Sequence, residues 1–120
     1  MGAVQIYHNP NCSTSKYALG VADELGVDYE TVKYMLKSQR PDRAQLEDLV
    51  AKLEDPVTDL VRRDANFKKL GLSDADIQTA AQVLDVLTDH PELLQRPVLV
   101  KGDRAIIGRP KTRVAAFLQD

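Results

Sequence analysis

Apolar and polar positions alternate over Val4-Gln5-Ile6-Tyr7, and the chain then runs into His8-Asn9-Pro10-Asn11, a cluster of turn formers. That pattern predicts a strand leading into a loop. Beyond Cys12, the residues Ala18, Leu19, Val21, Ala22 and Leu25 fall on a helical stripe that stops at Gly26, with Ser13 and Thr14 as the expected N-caps. Cys12 therefore stands where the loop becomes a helix. Residues 28–34 are rich in aromatic and β-branched types and predict a second strand. A β-α-β opening of this kind favours a parallel pair.

The middle of the chain has a helical pattern. Asp42 with Gln45 resembles a capping box ahead of an apolar face of Leu46, Leu49, Val50 and Leu53, and Pro56 stops the run. A short helical piece is expected over residues 57–63. Ser73 with Asp76 opens the strongest repeat, in which Ile77, Ala80, Ala81, Leu84 and Leu87 recur at helical steps as far as His90-Pro91. Two short apolar runs follow, Pro97-Val98-Leu99-Val100 and Ala105-Ile106-Ile107, separated by a loop with Gly102-Asp103. They predict an antiparallel hairpin, and Val114 to Leu118 predict a last amphipathic helix. No repeat, low-complexity tract or linker interrupts the series, so residues 1–120 read as a single α/β domain.

Composition narrows the function. The 120 residues carry 16 Lys and Arg against 18 Asp and Glu, a net charge of -2, too close to neutral for a protein whose main task is gripping nucleic acid or an anionic membrane. Met1 to Val4 show no basic region followed by a long apolar run, and no later stretch has the length to cross a bilayer. The expectation is a soluble, cytoplasmic protein, and a monomer, since no long apolar face is left over. Cys12 is the one cysteine, which excludes an intramolecular disulfide and a Cys-rich zinc site.

A thiol in the first turn of a helix faces unpaired N–H groups and the positive end of the backbone dipole, both of which favour thiolate. Cys12 is thus a candidate nucleophile, expected to be exposed. Ser13, Thr14 and Ser15 add donors, and His8 could serve as a cation or a hydrogen-bond partner. Cys12-Ser13-Thr14-Ser15 is a C-x-x-S sequence without the second thiol of a dithiol redox motif. Its oxidised or adduct forms need a thiol from outside, which implies glutathione or another low-molecular-weight thiol and a glutaredoxin-type partner. A cysteine phosphatase loop, C-x5-R, is excluded because position 18 is Ala18. Arginines for an oxyanion must come from elsewhere: Arg62 or Arg63, Arg96 before Pro97, and Arg109 before Pro110.

Four stretches carry a resemblance. Tyr7-His8-Asn9-Pro10-Asn11-Cys12-Ser13-Thr14-Ser15, Leu60-Val61-Arg62-Arg63-Asp64 with Phe67-Lys68-Lys69-Leu70-Gly71-Leu72, Gln95-Arg96-Pro97-Val98-Leu99-Val100, and Ile107-Gly108-Arg109-Pro110 resemble, in order and spacing, the signature blocks of the glutathione/glutaredoxin-linked arsenate reductase family, ArsC. The likeness runs from about residue 4 to the end. It implies a thioredoxin-like (glutaredoxin-like) fold, a mixed central sheet with a helical insertion between the second strand and the C-terminal hairpin, and a cis-proline at Pro97 facing the cysteine. It further implies that Cys12 attacks arsenate, that Arg62, Arg96 and Arg109 hold the oxyanion, and that His8 lowers the pKa of the thiol. Glutathione or an equivalent thiol then acts as co-substrate and a glutaredoxin-type partner completes the cycle, with no bound cofactor or metal. The same family includes Spx-like regulators that contact RNA polymerase, whose switch usually wants C-x-x-C, and a general thiol-disulfide reductase is a third reading.

Overall fold

The computed structural model describes residues 4–119; Met1 to Ala3, on which the reading of a leaderless start largely rests, and Asp120 lie outside them. Four strands form the sheet: β1 (Val4–Tyr7), β2 (Tyr29–Val32), β3 (Val98–Lys101) and β4 (Arg104–Ile107), in the order β2-β1-β3-β4. β1 and β2 run parallel, while β3 is antiparallel to both β1 and β4. The helices are α1 (Ser13–Leu25), α2 (Arg43–Lys52), α3 (Ala65–Lys69), α4 (Ala80–Asp89) and α5 (Arg113–Gln119). A parallel β-α-β unit, a helical insertion and a closing β-hairpin with its helix make this a thioredoxin-like fold.

Strand alternation divides the side chains between two cores. Val4 and Ile6 of β1, Leu99 of β3 and Ile106 of β4 face α1 and α5, where they meet Ala18, Ala22, Val114 and Phe117. Tyr7, Val98, Val100, Ala105 and Ile107 face the opposite way, onto Leu46, Leu49, Val83 and Leu87 of α2 and α4. Both faces of β3 are thus covered, which is why its sequence is a continuous apolar run. Removing one of these side chains to alanine, Leu99 for example, costs about 2–5 kcal/mol.

Helix ends obey local chemistry with some departures from expectation. Gly26 ends α1 in the left-handed region at φ 67 and returns its N–H to Asp23, a conformation that suits glycine. The N-cap of α1 is Cys12 itself, not Ser13 or Thr14. The repeat from Ser73 is two helices, not one: a 3₁₀ turn, Asp74–Ile77, capped by Ser73, and then α4, capped by Thr79. Thr79 and Gln82 close their own capping box, and this local bonding outcompetes a continuous helix. The helical piece expected over residues 57–63 stops at Leu60, because Val61 pairs with Leu94 across an antiparallel bridge. Helix α3, capped by Asp64, has too few residues to leave a periodic signal.

Register decides what meets at the end of the sheet. Tyr7, the last residue of β1, pairs with Val98 of β3, and Val98 pairs in turn with Ile107 of β4. The residues just beyond these, His8 onward, Arg96-Pro97 and Gly108-Arg109, therefore converge on one edge.

Candidate active site

Cys12 lies at that edge, and its surroundings follow from the turn before it. The Asn9 side chain accepts the Asn11 N–H at 2.9 Å, and the Asn9 carbonyl accepts the Cys12 N–H at 3.0 Å, which turns the chain into α1. The Cys12 carbonyl then accepts the first helical bond, from Lys16. The expectation of an exposed thiol fails: Cys12 is only 8 % exposed, with Arg96 and Arg109 set against its sulfur.

Two guanidiniums face the sulfur. Arg109 Nη2 donates to Cys12 Sγ at 3.4 Å, and its Nε donates to the Arg96 carbonyl at 2.7 Å. The Arg96 guanidinium interacts with both the thiol and the buried Tyr34 hydroxyl. Burial pushes the thiol pKa up, but the Ser15 backbone N–H and then Arg96 and Arg109 outweigh it and hold Cys12 below the usual thiol range. The Cys12 side chain closes no cap hydrogen bond, while the nearby Ser15 N–H favours its ionised form.

His8 serves as a hydrogen-bond partner within the turn. Its Nδ1 shares a hydrogen with the fully buried Ser15 Oγ at 2.7 Å, and the same Oγ accepts the Asn9 N–H at 3.0 Å. Burial lowers the His8 pKa, and Lys33 and Lys16 lower it further, which disfavours its cationic form. The His8–Ser15 pair locks the turn to the first turn of α1.

The remaining arginines separate cleanly. Pairing of Val61 with Leu94, with Arg62 N–H to the Leu93 carbonyl at 2.8 Å, lays residue 62 beside Gln95 and Arg96. Arg62 Nη1 donates to Gln95 Oε1 at 3.1 Å, and its charge reaches Tyr34. Arg63 points elsewhere, bonded to Asp74 at 2.8 Å and Thr58 at 2.6 Å. A cavity of about 160 Å³ lies among Arg62, Arg63, Asp64, Gln95 and Arg109.

One buried donor is unanswered. Among the described residues, Arg96 Nε is the buried side-chain nitrogen or oxygen without a hydrogen-bond partner. Such a group costs about 1–3 kcal/mol unless something accepts from it. The peptide bond after it, Arg96-Pro97, is cis, as the resemblance implies, and Arg109-Pro110 is cis as well. Gly108 permits the approach of the two loops: a Cβ there would lie 2.8 Å from Pro97 Cγ and 3.3 Å from Val114 Cγ2. Its N–H donates to the Pro97 carbonyl at 2.8 Å.

Tyr34, Asn9 and Gln95 join the site without having been singled out. Tyr34 is a buried residue whose hydroxyl partner, the Leu94 carbonyl, is remote in the chain, and no spacing rule marks it. Among the described residues, no group of three or more His, Cys, Asp or Glu side chains could hold a metal ion, and no helix is long and apolar enough to cross a membrane.

A lone thiol under two guanidiniums, with a buried N–H unpaired beside it, is an arrangement whose chemistry suits an oxyanion. Comparison with known proteins agrees with that chemistry. The model of the ArsC family matches residues 7–117. An arsenate reductase of Neisseria meningitidis serogroup A is 36% identical over 120 residues, covering 98% of this chain and 100% of that protein. The uncharacterized protein YfgD of Escherichia coli is 36% identical over 113 residues, covering 92% of each. Among solved structures, an arsenate reductase from Vibrio cholerae superposes with a TM-score of 0.82 at 30% identity, covering 97% of this chain and 98% of that one.

Proposed function

The chain belongs to the ArsC family, and from that premise we propose that it is an arsenate reductase working through a single nucleophilic cysteine, with glutathione or another low-molecular-weight thiol and a glutaredoxin-type protein as reductant. The observation that carries this reading is the buried, unpartnered Arg96 Nε beside a sulfur that Arg109 already engages at 3.4 Å. A tetrahedral oxyanion answers that donor and neutralises the guanidiniums around it.

The chemistry runs in two stages. The Cys12 thiolate forms a sulfur–arsenic bond and one arsenate oxygen leaves as water after taking up protons; arsenic stays As(V). Anion attacks anion here, and Arg96, Arg109 and Arg62 make that feasible by spreading positive charge over the oxyanion and the leaving oxygen. Reduction needs two electrons. With Cys12 the one cysteine in the chain, they come from external thiols: one low-molecular-weight thiol adds to arsenic and a redoxin thiol then removes it as a mixed disulfide. Water then hydrolyses the remaining Cys12 sulfur–arsenic bond, its oxygen going to arsenic and its proton to sulfur, so that arsenite leaves as As(III), Cys12 returns to thiol, and two external thiols have become one disulfide. His8 and Ser15 hold the turn that aims the Ser15 N–H at the sulfur.

The test is NADPH-coupled turnover of arsenate with glutathione, a glutaredoxin and glutathione reductase, wild type beside Cys12→Ser. Cys12-dependent NADPH oxidation is expected only when arsenate is present. Reduction of a glutathionylated peptide that survives Arg96→Ala, with no arsenate turnover, would overturn the reading in favour of a general thiol-disulfide reductase.

A further inference from the structure

The short loop that delivers Arg109 to the sulfur is held from behind. Leu53 pairs with Ala105 in a parallel bridge and Glu54 N–H donates to the Ala105 carbonyl at 2.8 Å, so the segment after α2 runs beside β4. This brings the Asp55 carboxylate to the end of that strand, where Oδ2 accepts the Ile107 N–H at 2.8 Å. The same carboxylate grips Arg113 with both oxygens, at 2.9 Å to Nη2 and 3.1 Å to Nη1. Arg113 Nη1 in turn donates to the Ile107 carbonyl at 3.0 Å and more weakly to the Arg109 carbonyl at 3.4 Å.

We propose that Asp55 and Arg113 form a clamp that positions Arg109 against the Cys12 sulfur. Together they fix the N–H and C=O of Ile107 and the C=O of Arg109, the backbone on both sides of Gly108. Neither touches the sulfur; they are positioning residues, and the value of the clamp to turnover rests on the role given to Arg109 above. The pair is well suited to the task. Asp55 is mostly buried, the fork-to-fork geometry is directional, and a planar guanidinium is needed to reach a carboxylate and two carbonyls at once. Charged groups sharing the cavity of about 210 Å³ with them are Asp59, Arg63 and Arg109. Those facing the sulfur are Arg96 and Arg109, with His8 behind Ser15.

The experiment reads the thiol directly, through the pH dependence of Cys12 alkylation by iodoacetamide on the intact protein. As Cys12 is the one cysteine, the signal has one source. Asp55→Asn is expected to move the profile to higher pH and to slow alkylation at neutral pH by about threefold or more, and Arg113→Lys to act in the same direction. In an Arg109→Ala background, Asp55→Asn should add no further shift, because its target is gone. A profile for Asp55→Asn or Arg113→Lys that superimposes on wild type, or an equal shift that persists in the Arg109→Ala background, overturns the clamp. Should Asp55→Asn fail to fold, Arg113→Lys alone and with Arg109→Ala carries the same comparison. Arsenate takes no part in this readout. Absent arsenate turnover would leave the clamp standing, while a wild-type profile would remove the clamp and leave the reductase reading intact.

Discussion

The thiol half of the site and its guanidinium half are built at opposite ranges along the chain. His8 to Ser15 form one continuous stretch whose bonds, from Asn9 to Asn11, Asn9 to Cys12 and His8 to Ser15, are local. Arg96 and Arg109 come from separate loops and reach the sulfur only through strand register, while the bridge between Val61 and Leu94 lays Arg62 beside Gln95. The local half fixes where the sulfur points. The remote half adds the guanidinium charges that, after the Ser15 N–H, hold its pKa down. Damage to the first half should therefore appear as lost stability, and damage to the second as lost reactivity.

The sharpest break in that division is Cys12→Ser. Turnover should fall by about 10³-fold or more, because a hydroxyl at the same place is not ionised. The buried position also predicts a cost of about 1–2 kcal/mol in urea unfolding, so the variant folds but is not neutral. Next come Arg96→Ala and Arg109→Ala, each expected to lower kcat/KM by about 10²- to 10³-fold while shifting Cys12 alkylation to higher pH. Arg63→Ala serves as their control and should stay within about twofold, since Arg63 is committed to Asp74 and Thr58. If Arg63→Ala proved as damaging as Arg109→Ala, the division of the arginines would be wrong.

Ser15→Ala probes the local half. It strands His8 Nδ1 and the Asn9 N–H in a buried place and should cost about 1–3 kcal/mol in chemical denaturation, with a smaller effect on the intrinsic alkylation rate. The smallest effect expected is a pH effect at His8. Its pKa is lowered in the folded state by burial and then by Lys33 and Lys16, so unfolded chains bind the proton more readily. Stability is therefore unaffected above the ordinary histidine range and declines as pH falls through that range toward the lowered folded value. Replacing His8 by Gln should flatten that decline in urea titrations at successive pH values.

The two halves were also unequally readable in the sequence. The strand, turn and helix around Cys12 show because alternation, turn formers and a helical stripe are short-range signals, and the hairpin shows for the same reason. Arg96 and Arg109 were flagged by their Arg-Pro steps and by family likeness, but nothing in the spacing says that their side chains meet at one sulfur. Arg62 and Arg63 are adjacent and chemically identical; the bridge that turns one inward depends on Leu94, far along the chain. Tyr34 and Asp55 were invisible because each resembles an ordinary strand or loop residue until its distant partner is known. Thr79 split a periodic run into two helices, a case where a cap outvotes periodicity, and Asp64 opens a helix too short to have any.

The long separation between sulfur and guanidinium gives the thiol a history. Cys12 leaves the ribosome 97 positions ahead of Arg109, and β3, which brings Arg96 to the sheet edge, is also made late. Until the hairpin closes, the thiol lacks the two guanidiniums that, with the Ser15 N–H, hold its pKa down. A nascent or truncated chain is then slow toward oxidants and electrophiles. The last contributions to the lowered thiol pKa thus arrive with completion of the fold.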